Sequence, residues 1–230
     1  MGVEIAESPV TDVEFEEMAN FVYDYLEASV DNEEDGGRMR WYPWHSAEYR
    51  FNHIMNVVEL ATDIAEHEGA DTDVVRVAAL FHDIAKLDSD QDVHAEEGAR
   101  VAREYLETHG EYPPSFVDRV CRSVENHSYQ GDLHDLTIET QCLIEGDVLD
   151  KVGVNGASLM LLRMGYEART HMDAAEMVQR VLERGKNARE RIESDRAVSI
   201  AHQRLKRIKW IREWLEEEVA EMETDGEPFA

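Results

Sequence analysis

The sequence predicts an all-α protein, and three observations carry that prediction. Apolar residues recur at three- and four-residue intervals through almost the whole chain, which is the period of one helix face. No stretch sustains the two-residue alternation of a half-buried strand. Residues that interrupt helices are few, with 5 Pro and 13 Gly among 230 residues. A chain of this length buries a substantial core without disulfides or a structural metal.

The elements follow in order from local signals. Thr11 and Glu14 have the spacing of a capping box and open a first helix over roughly 12–29. A polar loop over 31–40 contains Gly36 and Gly37. The second helix runs from about Ser46 to His67, buries Ile54, Val57, Val58, Ala61 and Ile64, and stops at Gly69. A third begins near Asp73 and carries Val74, Val77, Ala78, Phe81 and Ile84 on its apolar face. The fourth spans about His94 to Thr108 and is closed by Gly110. Pro113 and Pro114 introduce a helix over about 115–127. A loop over 129–136 leads to a helix from Ile138 to Val152. Two or three amphipathic helices fill 157–222, with Gly185 as the expected break and Ile200, Leu205, Ile208, Ile211, Leu215 and Val219 marking one face of the last. The expected organisation is one helical domain over 1–222 and a polar tail over 223–230.

Charge narrows the function classes. The chain has 51 acidic and 23 basic residues and a formal net charge of −28. Acid is spread along the chain rather than gathered in a tail. Such a surface repels nucleic acid polymers and anionic membranes, so neither is an expected partner. It also resembles proteins that work in molar salt, where the Debye length falls to about 3 Å and self-repulsion is screened. No apolar run reaches the ~20 residues of a membrane span, and the first residues have neither a basic n-region nor an apolar h-region. The expectation is a soluble, cytoplasmic protein. Cys121 and Cys142 both lie in apolar helical patterns and read as core residues.

Among 10 His residues, the setting separates candidates from background. There are two His-Asp pairs. His134-Asp135 lies in a polar loop and shows how cheaply the dipeptide arises. His82-Asp83 instead follows Val77-Ala78-Ala79-Leu80-Phe81 and precedes Ile84-Ala85-Lys86, so two polar groups stand at the end of a strongly apolar helix. Burying them costs several kcal/mol unless something satisfies both. A divalent cation does so, with imidazole as nitrogen donor and carboxylate as charge partner, and a second His or a backbone group is the alternative. His67 and His109 each precede a Gly at a helix C-terminus, where they complement the helix dipole. His171 and His202 lie among charged residues. His45 adjoins Trp41, Tyr42 and Trp44, a cluster that reads as core packing or as cover for a site.

Taken together, the neighbours form an ordered set. Arg50-Phe51-Asn52-His53 is followed by His82-Asp83 with Lys86, by His94 with Gly98, by His127-Ser128, and by Gly146-Asp147 with Asp150, Lys151 and Gly153. This order resembles the HD superfamily of metal-dependent phosphohydrolases, over roughly residues 46–160. The resemblance implies an HD-type helical bundle with additional C-terminal helices over 161–222. It implies His53, His82, Asp83 and Asp147 as ligands of a divalent ion, and Asp83 with Lys86 as residues serving catalysis. The mixed nitrogen and oxygen donor set suits Mn, Fe, Co, Ni or Mg. Charge adds Arg50 to the catalytic candidates as a phosphate fork, with a surface pairing to Glu48 as the alternative. His94 and His127 match positions that hold a second metal or contact phosphate, with Asp83 bridging; a single ion is the simpler reading. Val148 stands where the family carries Arg or Lys after the last Asp, and Lys151 on the next turn is the candidate replacement. Glu145 replaces an Asp two positions before Asp147.

The implied activity is hydrolysis of a phosphate monoester or phosphoanhydride of a small phosphorylated metabolite, a nucleotide by family analogy, using metal-activated water. A catalytically silent metal- or ligand-binding regulatory module is the first rival. The second is a non-enzymatic interaction protein using the stripe around Ile208, Ile211 and Leu215, a stripe that otherwise docks on its own domain or across a homodimer.

Overall fold

The structure, a computed structural model, describes residues 10–31, 46–90, 92–167, 179–180, 183, 185 and 187–224. The expected loop after Asp31, the aromatic cluster at 41–45, His171 and the end of the polar tail lie outside these residues. The described residues are helical with turns between, and no strand occurs among them. The chain is all-α, as its periodicity predicts. It divides into two compact units, Met1–Asp147 and Val148–Ala230, and the division falls inside a helix rather than at a linker.

Local chemistry sets most helix ends in the first unit. Helix α1, Asp12–Asp31, opens on a closed capping box: the Thr11 backbone N–H donates to Glu14 at 2.8 Å, and the Glu14 N–H donates to Thr11 Oγ1 at 3.3 Å. Helix α2, Ala47–Glu68, is capped by Ser46, which accepts from the Tyr49 N–H, and ends at Gly69 with φ of 75°. The Ala70 N–H closes that end onto Ala65 O at 3.0 Å. Helix α3, Thr72–Phe81, is capped by Asp71.

Helix α4 is His94–His109 and α5 is Pro114–Asn126, with Pro114 in its first turn, where a missing N–H costs nothing. Gly110 follows α4 in extended backbone at φ of −154°, so α4 does not end on a left-handed glycine as α2 does at Gly69. A short 3-10 turn at Leu133–Asp135 precedes α6, Ile138–Asp150, which ends two residues before the expected Val152.

Helix α3 is the centre of this unit. Val74, Val75, Val77, Ala78, Ala79, Leu80 and Phe81 are all fully buried, so the helix is apolar except along the strip of Thr72, Asp73 and Arg76, and it packs against α1, α2, α4 and α5. Burying each of its large side chains contributes about 1.5–3 kcal/mol, enough to carry the polar pair that follows it inside. The helix stops at Phe81, three residues short of the expected Ile84. The backbone then tightens into three-residue turns, with Ile84 N–H on Phe81 O and Lys86 N–H on Asp83 O. His82 and Asp83 therefore leave the end of a buried helix rather than its side.

In the second unit, α7 is Val154–Glu167 and α8 is Asp195–Thr224, and the two pack together. Gly185 is itself helical and buried; the break before the last helix falls at 190–194. Of the apolar face expected on α8, Ile208 is buried and Ile200 and Leu205 are partly buried. The side chains of Ile211, Leu215 and Val219 lie outside the description. Both cysteines are buried free thiols, and burial pushes Cys121 up to about 11 and Cys142 up to about 12. Among the described residues, no helix is long and apolar enough to cross a membrane.

Candidate metal centre

Every ligand and catalytic residue implied by the sequence lies in the first unit, where helix ends bring them together, whereas Lys151 lies in the second unit, in the turn after α6, and is exposed. Arg50 and His53 share one face of α2. His82 is the C-cap of α3, and Asp83 and Lys86 lie in the turns after it. His94 is the first residue of α4, His127 the C-cap of α5, and Asp147 lies on α6. Arg50, His53, His82, Asp83, His94 and His127 are all buried. The control pair behaves as background should, with His134 and Asp135 both exposed.

Two ligand-competent groups meet at Asp83. The first gathers His53, His82 and Asp147; the second gathers Asp83, His94 and His127, each within 4.8 Å. Asp83 Oδ2 faces the first group, 3.7 Å from His53 Nε2 and 3.8 Å from His82 Nε2. Its Oδ1 faces the second, 3.5 Å from both His94 Nε2 and His127 Nε2. On the far side of the first group, Asp147 Oδ1 lies 3.2 Å from His53 Nε2.

The same local device presents two of the imidazoles. His82 Nδ1 donates to Ala79 O at 2.7 Å, and His127 Nδ1 donates to Val124 O at 2.7 Å. Each bond uses a carbonyl left over in the last turn of its helix. With Nδ1–H committed, the neutral ring must turn its Nε2 lone pair into the site. Burial is the main reason His82 stays neutral, holding its pKa down to about 3.

Cations already crowd the shared carboxylate. Arg50 Nη1 lies 2.6 Å from Asp83 Oδ2. Lys86 Nζ lies 3.6 Å from Asp83 Oδ1 and donates to His94 Nε2 at 2.9 Å. Burial raises the pKa of Asp83, but Arg50, His82, His127 and Lys86 outweigh it and hold the carboxyl well below its usual range. The surface pairing of Arg50 with Glu48 that a helix exterior would suggest is replaced by this buried contact. Sequence reasoning gave Ser128 no role, yet its hydroxyl lies 3.3 Å from His94 Nε2 and 3.2 Å from His127 Nε2. Only the His127-Ser128 adjacency could have signalled it.

The residues fit a divalent cation. His82 Nε2 is buried and lacks a hydrogen-bond partner, while facing carboxylate oxygens of Asp83 and Asp147 at 3.8 and 4.0 Å. His94 and His127 bring Nε2 atoms to 3.1 Å of one another beside one carboxylate oxygen, an arrangement that favours a cation between them. Imidazoles and carboxylates without thiolate suit an open site for a catalytic ion rather than a closed structural zinc site.

Comparison with known proteins identifies the domain these residues build. Residues 50–152 match the HD domain, a span that contains every one of these side chains. This chain carries an HD domain. Its fold is similar to that of an HD-superfamily hydrolase from Bacillus thuringiensis, at 18% identity and a TM-score of 0.64 over 90% of this chain and 98% of that one. It is also similar to Bacillus subtilis YpgQ in complex with ADP, at 20% identity and a TM-score of 0.60 over 87% of this chain and 97% of that one. Two curated relatives match shorter segments. A tRNA (cytidine(56)-2'-O)-methyltransferase of Thermoplasma volcanium is 34% identical over 86 residues, 37% of this chain. A symmetrical bis(5'-nucleosyl)-tetraphosphatase of Halalkalibacterium halodurans is 44% identical over 43 residues, 19% of this chain. Each match spans 23% of the relative's own length, so the chain covers under a quarter of these curated relatives.

Proposed function

We propose that this HD-domain protein is a divalent-metal-dependent phosphohydrolase acting on a phosphate monoester or phosphoanhydride of a small metabolite, a nucleotide in the first instance. The observation that carries the reading is the double-sided role of Asp83, whose two oxygens each face a separate set of buried imidazoles. His53, His82 and Asp147 would hold one ion with Asp83 Oδ2, and His94 and His127 would hold a second with Oδ1. The chemistry such ions supply is a lowered pKa for water and an offset of negative charge on phosphoryl oxygens.

The chain's own residues supply the remainder. Arg50 and Lys86 lie against Asp83 and are the positive side chains within reach of a phosphate beside it. Arg offers a planar fork for two oxygens and Lys a point charge. Nucleotide chemistry is supported by the ADP complex of the similar fold and by the tetraphosphatase relative. The runner-up is an HD-type module that binds metal or ligand and regulates without catalysis. Val148 favours it, because a buried valine follows Asp147 where related proteins carry a basic residue.

The test is metal content by elemental analysis, with a phosphate-ester and nucleotide screen on the same preparation. Two divalent ions per chain are expected, falling in Asp147→Ala and again in His127→Ala, with turnover lost alongside. An absence of divalent metal after incubation with Mn²⁺ would remove the proposal. Metal binding without turnover on any phosphate ester would move the assignment to the regulatory module.

A further inference from the structure

Helix α8 is divided by charge. Between 195 and 212 it carries six basic residues and one acidic residue, whereas between 213 and 224 it carries six Glu and no basic residue. This basic half belongs to a chain of net charge −28. Its buried side is defined by Ala197, Ala201 and Ile208. The opposite side exposes Gln203, Lys206, Arg207, Trp210, Trp214 and Glu217. Trp210 is 47% and Trp214 is 63% exposed, one turn apart and at the point where the charge changes sign. The Lys206 ammonium lies 5.7 Å over the Trp210 ring, and Lys209 lies 3.7 Å from Glu213. Two exposed indoles one turn apart on the same helix face are large apolar groups of the kind enriched at interfaces.

The pattern is self-complementary. Two copies of α8 placed antiparallel, with a two-fold axis beside residue 212, set Trp210 against the partner's Trp214. The same register sets Arg207 against the partner's Glu217. The basic half of each helix then runs along the acidic half of the other, and both pairings occur twice. This is the isologous arrangement that a two-fold dimer requires, with an aromatic centre and a charged rim. A parallel pairing would instead set like charges together. A polyanion would meet the basic half but would be repelled by the six Glu and by the chain as a whole.

We infer that the exposed face of α8 is a homodimer interface, in which two copies pair antiparallel through Trp210 and Trp214 with Arg207 opposite the partner's Glu217. The experiment is sedimentation equilibrium on the full chain in about 0.5 M salt, where long-range repulsion between acidic chains is screened and contact pairs persist. The wild type is expected to dimerise. Arg207→Glu and Glu217→Arg are each expected to weaken the dimer about tenfold, because each places two like-charge contacts in the interface. The double variant Arg207→Glu with Glu217→Arg is expected to recover most of the affinity, which a single helix face or an unrelated partner would not produce. Trp214→Ala is expected to weaken the dimer further than either charge change, with helical circular dichroism unchanged. A monomer at every concentration, single variants that dimerise like wild type, or a double variant no tighter than the singles would each overturn the pairing. So would tight binding of the monomer to a short single-stranded oligonucleotide lost in Arg207→Glu, since the face would then belong to a polyanion.

Discussion

At the scale of single residues, Asp83 carries the most consequence. Its carboxylate is the counter-charge of buried Arg50 and of Lys86 as well as the link between two sets of imidazoles. Removing one partner of a buried ion pair costs more than the pair contributes, because the other charge is left uncompensated. Asp83→Asn is therefore expected to do two things. Without metal it should lower stability by about 3 kcal/mol, read as a shift in the urea midpoint. It should also abolish turnover and metal binding while helical content is retained. Unchanged turnover in this variant would sink the assigned site. His82-Asp83 was legible in the sequence because an apolar helix leads into it, and the exposed His134-Asp135 shows why the dipeptide alone was not enough. Arg50 was harder to place, since a basic residue early in an amphipathic helix looks like any solvated one until the fold shows which way it turns. Ser128 carries no pattern of its own and becomes visible only when α5 delivers His127 beside it.

At the scale of helices, small residues decide how closely the site elements approach. A Cβ added at Gly146 would lie 2.8 Å from Ala61 Cβ and 2.9 Å from Ala61 N, so α6 crosses α2 at a separation only glycine permits. The next residue is Asp147, 3.2 Å from His53 on that same α2. Replacing a helical glycine by alanine ordinarily stabilises by up to about 1 kcal/mol. Overpacking against a backbone costs about 1–3 kcal/mol, so the clash wins. Gly146→Val is expected to destabilise the chain by about 2 kcal/mol in denaturant and to weaken metal affinity measured by calorimetry. Normal metal affinity in a folded variant would show that α6 need not approach so closely. Gly146 was quoted in the sequence only as a companion of Asp147, because close approach has no one-dimensional signature.

Arg119 offers a second test at this scale. It joins Asp71, the cap of α3, to Glu139 in the first turn of α6, at 2.8 and 2.6 Å. Burial raises the pKa of Glu139, yet the Arg119 hydrogen bond and charge outweigh it and leave the group lowered. A lowered folded value means that its stabilisation is present above the unfolded carboxylate pKa of about 4.3 and is lost as pH falls through the folded one. Because Arg119 is well exposed, the effect is at most about 1 kcal/mol. Glu139→Gln should lower the melting temperature at pH 7 by a few degrees and make little difference at pH 3. An equal loss at both pH values would assign Glu139 a packing role instead.

At the scale of the whole molecule, charge acts on every residue, and it was legible from composition alone. With a net charge of −28, the folded state concentrates repulsion that the expanded chain relieves. At about 0.15 M salt the Debye length is ~8 Å, which leaves neighbouring surface carboxylates in each other's field; at about 1 M it is ~3 Å and they are independent. The melting temperature should therefore rise steeply with NaCl or KCl up to a few tenths molar and then level. Sulfate needs a separate arm, because excluded anions stabilise any compact state and do so without levelling. A protein adapted to molar salt shows the steep phase, and one that merely tolerates its charge shows a shallow line in both salts. A thermal melt that does not move between about 0.05 and 1 M KCl would mean that repulsion is already relieved in dilute buffer, by bound cations or by local pairing such as that of Arg119 and Arg103 with neighbouring carboxylates. The acidic composition would then be a matter of solubility rather than of a saline working environment.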